Sequence, residues 1–109
     1  MARIVLTCWG SHGDIDPFFG LGLALKARGH DVVVATIEYY RPLLTGAGLG
    51  FHPIPPSIDP TETHVVERVM DTRRGTEFIL KELLFPALER MYEELSTAVE
   101  GADLLVSHP

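Results

Sequence analysis

The chain has 109 residues, of which 46% are apolar and 22% charged, a balance that suits one soluble domain with a modest core. Its net charge of −6 lacks the basic surface that nucleic-acid binding requires, so we expect no nucleic-acid partner. The uncharged apolar run Pro17 to Leu25 is far shorter than the roughly 20 residues of a membrane span, which leaves only a peripheral membrane contact open.

Cys8 is the single cysteine, so a disulfide framework is excluded and a reducing, cytoplasmic location is expected. The apolar run before Gly10 is too short for a secretory leader. No basic residue stands beside Cys8 in the sequence to activate its thiol, and we interpret it as a core residue.

The first half of the chain alternates apolar runs with glycine-rich turns, which predicts strands alternating with helices. Asp16 is the expected N-cap of the first helix, and Pro17 its first residue. The predicted elements are a buried strand Arg3–Trp9, a loop Gly10–Asp16, a helix from Pro17 that buries Phe18, Leu21, Gly22 and Leu25 and ends before Gly29, a buried strand Asp31–Thr36, a short helix within Glu38–Gly50 and a short strand Phe51–Ile54.

The second half contains a long helical stripe with a proline inside it. Pro86 predicts a kink or break near Leu84, because proline cannot donate the helical hydrogen bond. The predicted elements are a surface loop Pro55–Thr63, a helix or mobile segment Val65–Arg74, a broken helix Thr76–Glu100 and a fourth buried strand Asp103–Pro109.

This alternation predicts an α/β fold: a Rossmann-like parallel sheet of order 3-2-1-4 with helices on both faces. Ligands of such sheets bind beyond the carboxyl ends of the strands where the order reverses, here between Gly10–Asp14 and Ser107–Pro109. Because the fourth strand has no following helix, its edge and one face should be uncovered. We therefore expect residues 1–109 to be a truncated domain that self-associates.

The segment at the predicted crevice supplies the candidate binding residues. Glycines allow close approach of a ligand, and the following helix points its N-terminus at the crevice. Trp9 faces either the core or a ligand, Asp14 has no structural task and is the candidate for chemistry, and His108 arrives from the fourth strand. The ligand loop consists of Gly10, Ser11, His12 and Gly13.

Two other chemistries fit this region less well. His12, Asp14 and Asp16 would converge on a metal only in an extended loop, and no fuller ligand set supports them, so no metal is expected. The dinucleotide fingerprint G-x-G-x-x-G is absent, although Glu38 stands where a ribose-binding carboxylate would lie. An oxidoreductase domain and a non-catalytic module that binds a ligand or partner therefore remain alternatives.

Three stretches resemble the N-terminal half of a GT-B glycosyltransferase, in the family of sterol glucosyltransferases and of enzymes that glycosylate macrolides and glycopeptides. They are GSHGDIDPFFGLGLALKARGHDVVVAT from Gly10, GLGFHPI from Gly48 and ADLLVSHP from Ala102. The likeness spans the chain except roughly Thr61 to Gly75. It implies that a second, absent domain binds a nucleotide-sugar such as UDP-glucose or a TDP-sugar, and that this half holds a hydrophobic, hydroxylated acceptor.

The resemblance also implies an inverting hexosyl transfer with no cofactor. The family's base stands three residues before the proline, which is Asp14 here. Where that base is His, an Asp usually stands near the position of His108, so this chain exchanges the two residue types. The loop Gly10–Gly13 would border the acceptor and diphosphate, and the chain alone should be inactive.

Overall fold

A computed structural model describes residues 1–9 and 12–107. Its strands are β1 (Arg3–Thr7), β2 (Asp31–Thr36), β3 (Gly50–Pro53) and β4 (Leu104–Ser107). Its α-helices are α1 (His12–Ala27), α2 (Arg41–Gly46), α3 (Thr63–Val69), α4 (Gly75–Phe78) and α5 (Leu88–Ala98). Shorter turns of other helix types are a 3-10 turn Glu38–Tyr40, a π-helical turn Ile79–Leu84 and a 3-10 turn Phe85–Ala87.

The four strands form one parallel sheet in the order β3-β2-β1-β4, as predicted. Ile4 of β1 lies opposite Val32 on one side and Leu104 on the other, so β1 is an interior strand. The order reverses between β1 and β4, and the crevice expected at this point is therefore present in the topology.

Helices cover both faces of the sheet. On one face, α1 and α2 bury the larger core, because alternate residues of β1 and β2 point towards them. On the other face, Met91, Leu95 and Ala98 of α5 pack with Val5 and Ala35. The fully or largely buried members of the larger core are Ile4, Leu6, Cys8, Ile15, Phe18, Val32, Val34, Ile37, Tyr40, Leu44 and Leu49.

The helix predicted from Pro17 begins earlier, at His12, so the expected N-cap role of Asp16 is wrong. Ile15 explains the extra turn, because the helical backbone carries its side chain into the core, where it is 1% exposed. Pro17 costs one intrahelical hydrogen bond near the start of the helix. Asp14 in the first turn is favourable there, since a helix N-terminus attracts negative charge.

The predicted face of α1 is right except at Leu21, which is exposed. Gly22 suits the close packing here: a Cβ atom would lie 3.2 Å from Leu49 Cδ1, a tight contact, and 3.5 Å from Leu6 Cδ1. The helix therefore rests directly on the side chains of the sheet.

The helix predicted for Thr76–Glu100 is broken around Pro86, as its proline predicted. The chain passes through the π-helical and 3-10 turns before α5 begins at Leu88. After this break, α5 packs on the sheet through Met91, Leu95 and Ala98.

The fourth strand is not buried as predicted, since Leu104 is 52% and Leu105 43% exposed. The cause is its place at the edge of the sheet, where the helices of the described residues cover it incompletely. Its predicted last two residues, His108 and Pro109, lie outside the described residues. No helix in the described part of the chain is both long enough and apolar enough to cross a bilayer.

Candidate functional site

A cleft of about 580 Å³ opens between the carboxyl ends of the strands and helix α5. One wall comes from the ends of β1 and β4 and from the residue that follows β3; the opposite wall comes from α5 and the turn before it. The lining residues are Thr7, Cys8, Trp9, Ile54, Leu84, Leu88, Met91, Tyr92, Leu95 and Ser107.

The cleft surface is mainly apolar, with three hydroxyl groups among its lining residues, on Thr7, Tyr92 and Ser107. The Thr7 hydroxyl already donates to the carbonyl oxygen of Ala35 at 3.0 Å. Tyr92 is 76% exposed at the cleft wall, which is unusual for a large aromatic side chain. Such a surface suits a largely apolar ligand that is oriented by few hydrogen bonds.

Asp14 is partly buried in the first turn of α1 and acts electrostatically on the cleft. Its negative charge contributes to the raised pKa of the Cys8 thiol and to that of the Tyr40 phenol, although burial is the larger cause in both. Asp14 therefore lies within electrostatic reach of Cys8, which lines the cleft. The structure thus brings the sequence-predicted acid close to the crevice.

Cys8 is buried, as interpreted from the sequence. Burial raises the pKa of its thiol to about 11, a hydrogen bond with Thr36 acts in the opposite direction, and the charge of Asp14 raises it further. The Sγ atom lies 3.9 Å from the Thr36 hydroxyl oxygen. A thiol protonated at neutral pH is no nucleophile, so Cys8 contributes shape to the cleft.

Trp9 contacts both the core and the cleft, the two surroundings considered from the sequence. It packs against the larger core and also lines the cleft. Its indole Nε1 is buried and has no hydrogen-bond partner within residues 1–9 and 12–107. Buried donors are nearly always paired, so this one calls for an explanation.

The predicted ligand loop is only partly visible. Gly10 and Ser11 lie outside the described residues, as does His108, the candidate partner of Asp14. His12 and Gly13 belong to the first turn of α1 and not to an extended loop, which corrects the prediction.

This helical start also bears on the metal hypothesis. Side chains two residues apart on a helix point about 200° apart, so Asp14 and Asp16 diverge. In the described part of the chain, no three His, Cys, Asp or Glu side chains are grouped to hold a metal ion.

Glu38, the candidate ribose-binding carboxylate, forms an exposed ion pair within its own turn. Arg41 donates to it through Nε at 2.6 Å and through Nη2 at 2.9 Å. The hydrogen bond from Arg41 is the main reason that the pKa of Glu38 is lowered. The carboxylate is therefore held by a neighbouring guanidinium group.

Two contacts that fix α5 and the start of β1 could not be predicted from sequence. His52 Nε2 of β3 lies 2.9 Å from Glu94 Oε2 of α5, which ties the cleft's helical wall to the sheet. The backbone N–H of Ala2 donates to His30 Nδ1 at 3.0 Å. These partners are far apart in sequence, and no local pattern pairs them.

The sequences of known proteins are similar to this chain. The O-mycaminosyltylonolide 6-deoxyallosyltransferase of Streptomyces fradiae is 41% identical over 113 residues, covering 98% of this chain and 26% of that protein. The sterol 3-beta-glucosyltransferase of Cryptococcus neoformans is 31% identical over 109 residues, covering 95% of this chain and 7% of that protein. The chain thus spans about a quarter or less of the length of these two relatives.

Solved structures agree in fold. The glycosyltransferase SsfS6 of Streptomyces sp. SF2575 superposes with a TM-score of 0.64 at 30% identity, covering 98% of this chain and 33% of that one. Its complex with thymidine diphosphate gives a TM-score of 0.62 at 31% identity, covering 96% and 32%. The family model for the glycosyltransferase family 28 N-terminal domain matches residues 4–101. The chain therefore belongs to the glycosyltransferase family 28 N-terminal domain family.

Proposed function

We propose that this chain is the acceptor-binding part of an inverting glycosyltransferase, which transfers a hexose from a nucleotide-sugar to a hydroxyl group of a hydrophobic acceptor. The observation that carries the proposal is the apolar cleft at the reversal of the strand order, beside the acidic first turn of α1. Family membership supports the reaction class.

The lining of the cleft favours a lipid, sterol or natural-product acceptor. Leu88, Met91 and Leu95 of α5 present an apolar wall, and burial of apolar ligand surface there is the main source of affinity. The two relatives act, by their names, on a tylonolide and on a sterol, which are both largely apolar hydroxylated molecules.

Asp14 is the general base of this proposal. An acceptor hydroxyl is too weak an acid to attack alone, so the carboxylate takes its proton while the oxygen bonds to the anomeric carbon. The bond from that carbon to the diphosphate breaks at the same time, and the nucleoside diphosphate leaves with the electron pair. Attack opposite the leaving group inverts the anomeric configuration.

The donor is expected to be a UDP- or TDP-sugar bound mainly by a second domain of a longer protein. Thymidine diphosphate in the complex of SsfS6 supports a TDP-sugar, and the short coverage of each relative supports a further domain. The loop of Gly10, Ser11, His12 and Gly13 would then border the diphosphate, and His108 would share the proton with Asp14.

The test is Asp14→Asn in the complete enzyme, because Asn keeps the shape of the side chain and loses its basicity. General-base catalysis is worth about 10²–10⁴ in rate, so kcat should fall at least about a hundredfold while the acceptor KM changes little. Steady-state kinetics with a macrolide or sterol acceptor measure both constants.

Asp16→Asn is the matched control, since it removes the same charge from the next turn of α1. Its kcat should remain close to the wild-type value. A near-wild-type kcat for Asp14→Asn, with the fold intact by circular dichroism, would show that Asp14 only shapes the turn.

A further inference from the structure

The indole N–H of Trp9 is a hydrogen-bond donor without a partner among residues 1–9 and 12–107. Nε1 is buried, and no partner for it lies in the described part of the chain. Indole nitrogen is a donor only, so the missing partner must be an acceptor atom. An unpaired buried donor is unfavourable, and its pairing by a ligand is correspondingly favourable.

The cleft around Trp9 offers few acceptors of its own. Ile54, Met91 and Leu95 are apolar neighbours in the lining. The lining hydroxyl oxygens can accept a hydrogen bond, but within the described residues none of them is bonded to Nε1. An oxygen atom carried into the cleft by a ligand is therefore the natural partner for the indole.

We propose that Trp9 is a specificity-determining residue whose indole N–H binds a carbonyl or ether oxygen of the acceptor. The inference rests on the proposed function, since it takes the cleft as the acceptor site. Because Nε1 is covered in the free cleft, the side chain turns about its χ angles when the oxygen enters. Acceptors that carry such an oxygen are preferred over hydrocarbons of equal size, and the ring itself contributes apolar contact.

The chain has a single tryptophan, so its indole N–H gives one resonance and reports this bond directly. The probes are 1-indanone and indane, which differ by one carbonyl oxygen, titrated into the ¹⁵N-labelled chain. Both should shift the amide resonances of Leu88 and Met91. A hydrogen bond of ordinary net strength makes 1-indanone bind about three to ten times more tightly. It should also move the indole proton downfield and slow its exchange.

Two variants separate the N–H from its surroundings. Trp9→Phe keeps an aromatic ring and loses the donor, so the preference for 1-indanone should vanish while the affinity for indane changes less than about twofold. Tyr92→Phe removes a hydroxyl donor from the same cleft and should leave the preference unchanged.

The outcomes distinguish this inference from the proposed function. Three results with both probes bound would show that Trp9 is not the selecting donor, while the cleft remains a ligand site. The preference for 1-indanone survives in Trp9→Phe, or it is lost in Tyr92→Phe, or 1-indanone does not move the indole resonance. If neither probe shifts the α5 amides, the cleft is no ligand site, and the acceptor placement falls together with this inference. The indole resonance of the wild-type chain decides the matter even if Trp9→Phe fails to fold.

Discussion

Cys8 gives the most direct chemical test at the scale of single residues. Burial raises the pKa of its thiol from the ordinary value of 9.0 to about 11. The hydrogen bond with Thr36 lowers this pKa, but by less than burial raises it. At pH 8 the thiolate fraction in the folded chain is then about a hundredfold below that in the unfolded chain, and the thiolate is the reactive form.

We therefore expect iodoacetamide at pH 8 to alkylate the folded chain at least about a hundred times more slowly than the chain in guanidinium chloride. Mass spectrometry follows the reaction. Equal rates in both conditions would contradict the buried position of Cys8. Asp14→Asn should raise the folded rate slightly, because the charge of Asp14 raises this pKa.

The position of a candidate residue near the crevice was predictable from sequence, whereas its contacts were not. The crevice position of Asp14 was expected from the order of strands and helices, and its charge acts on Cys8 in the structure. Its role as a base comes from the family resemblance and stays a prediction. The start of α1 at His12 was missed, because the benefit of burying Ile15 is a tertiary effect. That the Trp9 N–H lacks a partner among the described residues has no signal in the sequence.

At the scale of elements, the pair His52–Glu94 fastens α5 to β3 at 2.9 Å. Both side chains are only partly buried, so their mutual interaction should be modest, about 0.5–1 kcal/mol. A double-mutant cycle of His52→Ala and Glu94→Ala, measured by urea unfolding, should return a coupling energy of this size.

Glu93→Ala makes the same change one residue earlier, at an exposed position, and controls for helix propensity. It should change the free energy of unfolding by less than about 0.5 kcal/mol. Additive effects of His52→Ala and Glu94→Ala would mean that the two side chains do not interact in solution.

Elements with a strong local pattern were predicted closely. The bounds of β2 are those expected, and the break at Pro86 follows from the chemistry of proline. For β4, an uncovered edge and one uncovered face were predicted, but the strand itself was expected to be buried. An apolar sequence such as LLVS favours burial without indicating which helix covers the strand. Helix α3 lies where the sequence left the choice between helix and mobile segment open.

At the scale of the whole molecule, the exposed apolar residues of β4 should make the 109-residue chain self-associate. Leu104 and Leu105 point to opposite faces of an edge strand, which offers both apolar surface and free backbone groups to a second copy. Sedimentation velocity should show a mass that increases with protein concentration.

Leu105→Lys should shift this equilibrium towards the monomer, because a charged side chain resists burial between copies. Leu21→Lys on α1 changes an exposed leucine elsewhere and should have no such effect. A concentration-independent monomer for the unmodified chain would refute the expectation.

The interior position of β1 also orders the events of folding. Its partners on one side are 28 residues away, as in Ile4 with Val32, and those on the other side are 100 residues away, as in Ile4 with Leu104. Closing the longer loop costs about 1 kcal/mol more in chain entropy. On the ribosome, β1, β2 and β3 can therefore assemble with α1 and α2 while the remaining half is still being made. Until β4 is made, the edge of β1 is unpaired, and a chaperone or a second nascent chain would bind there.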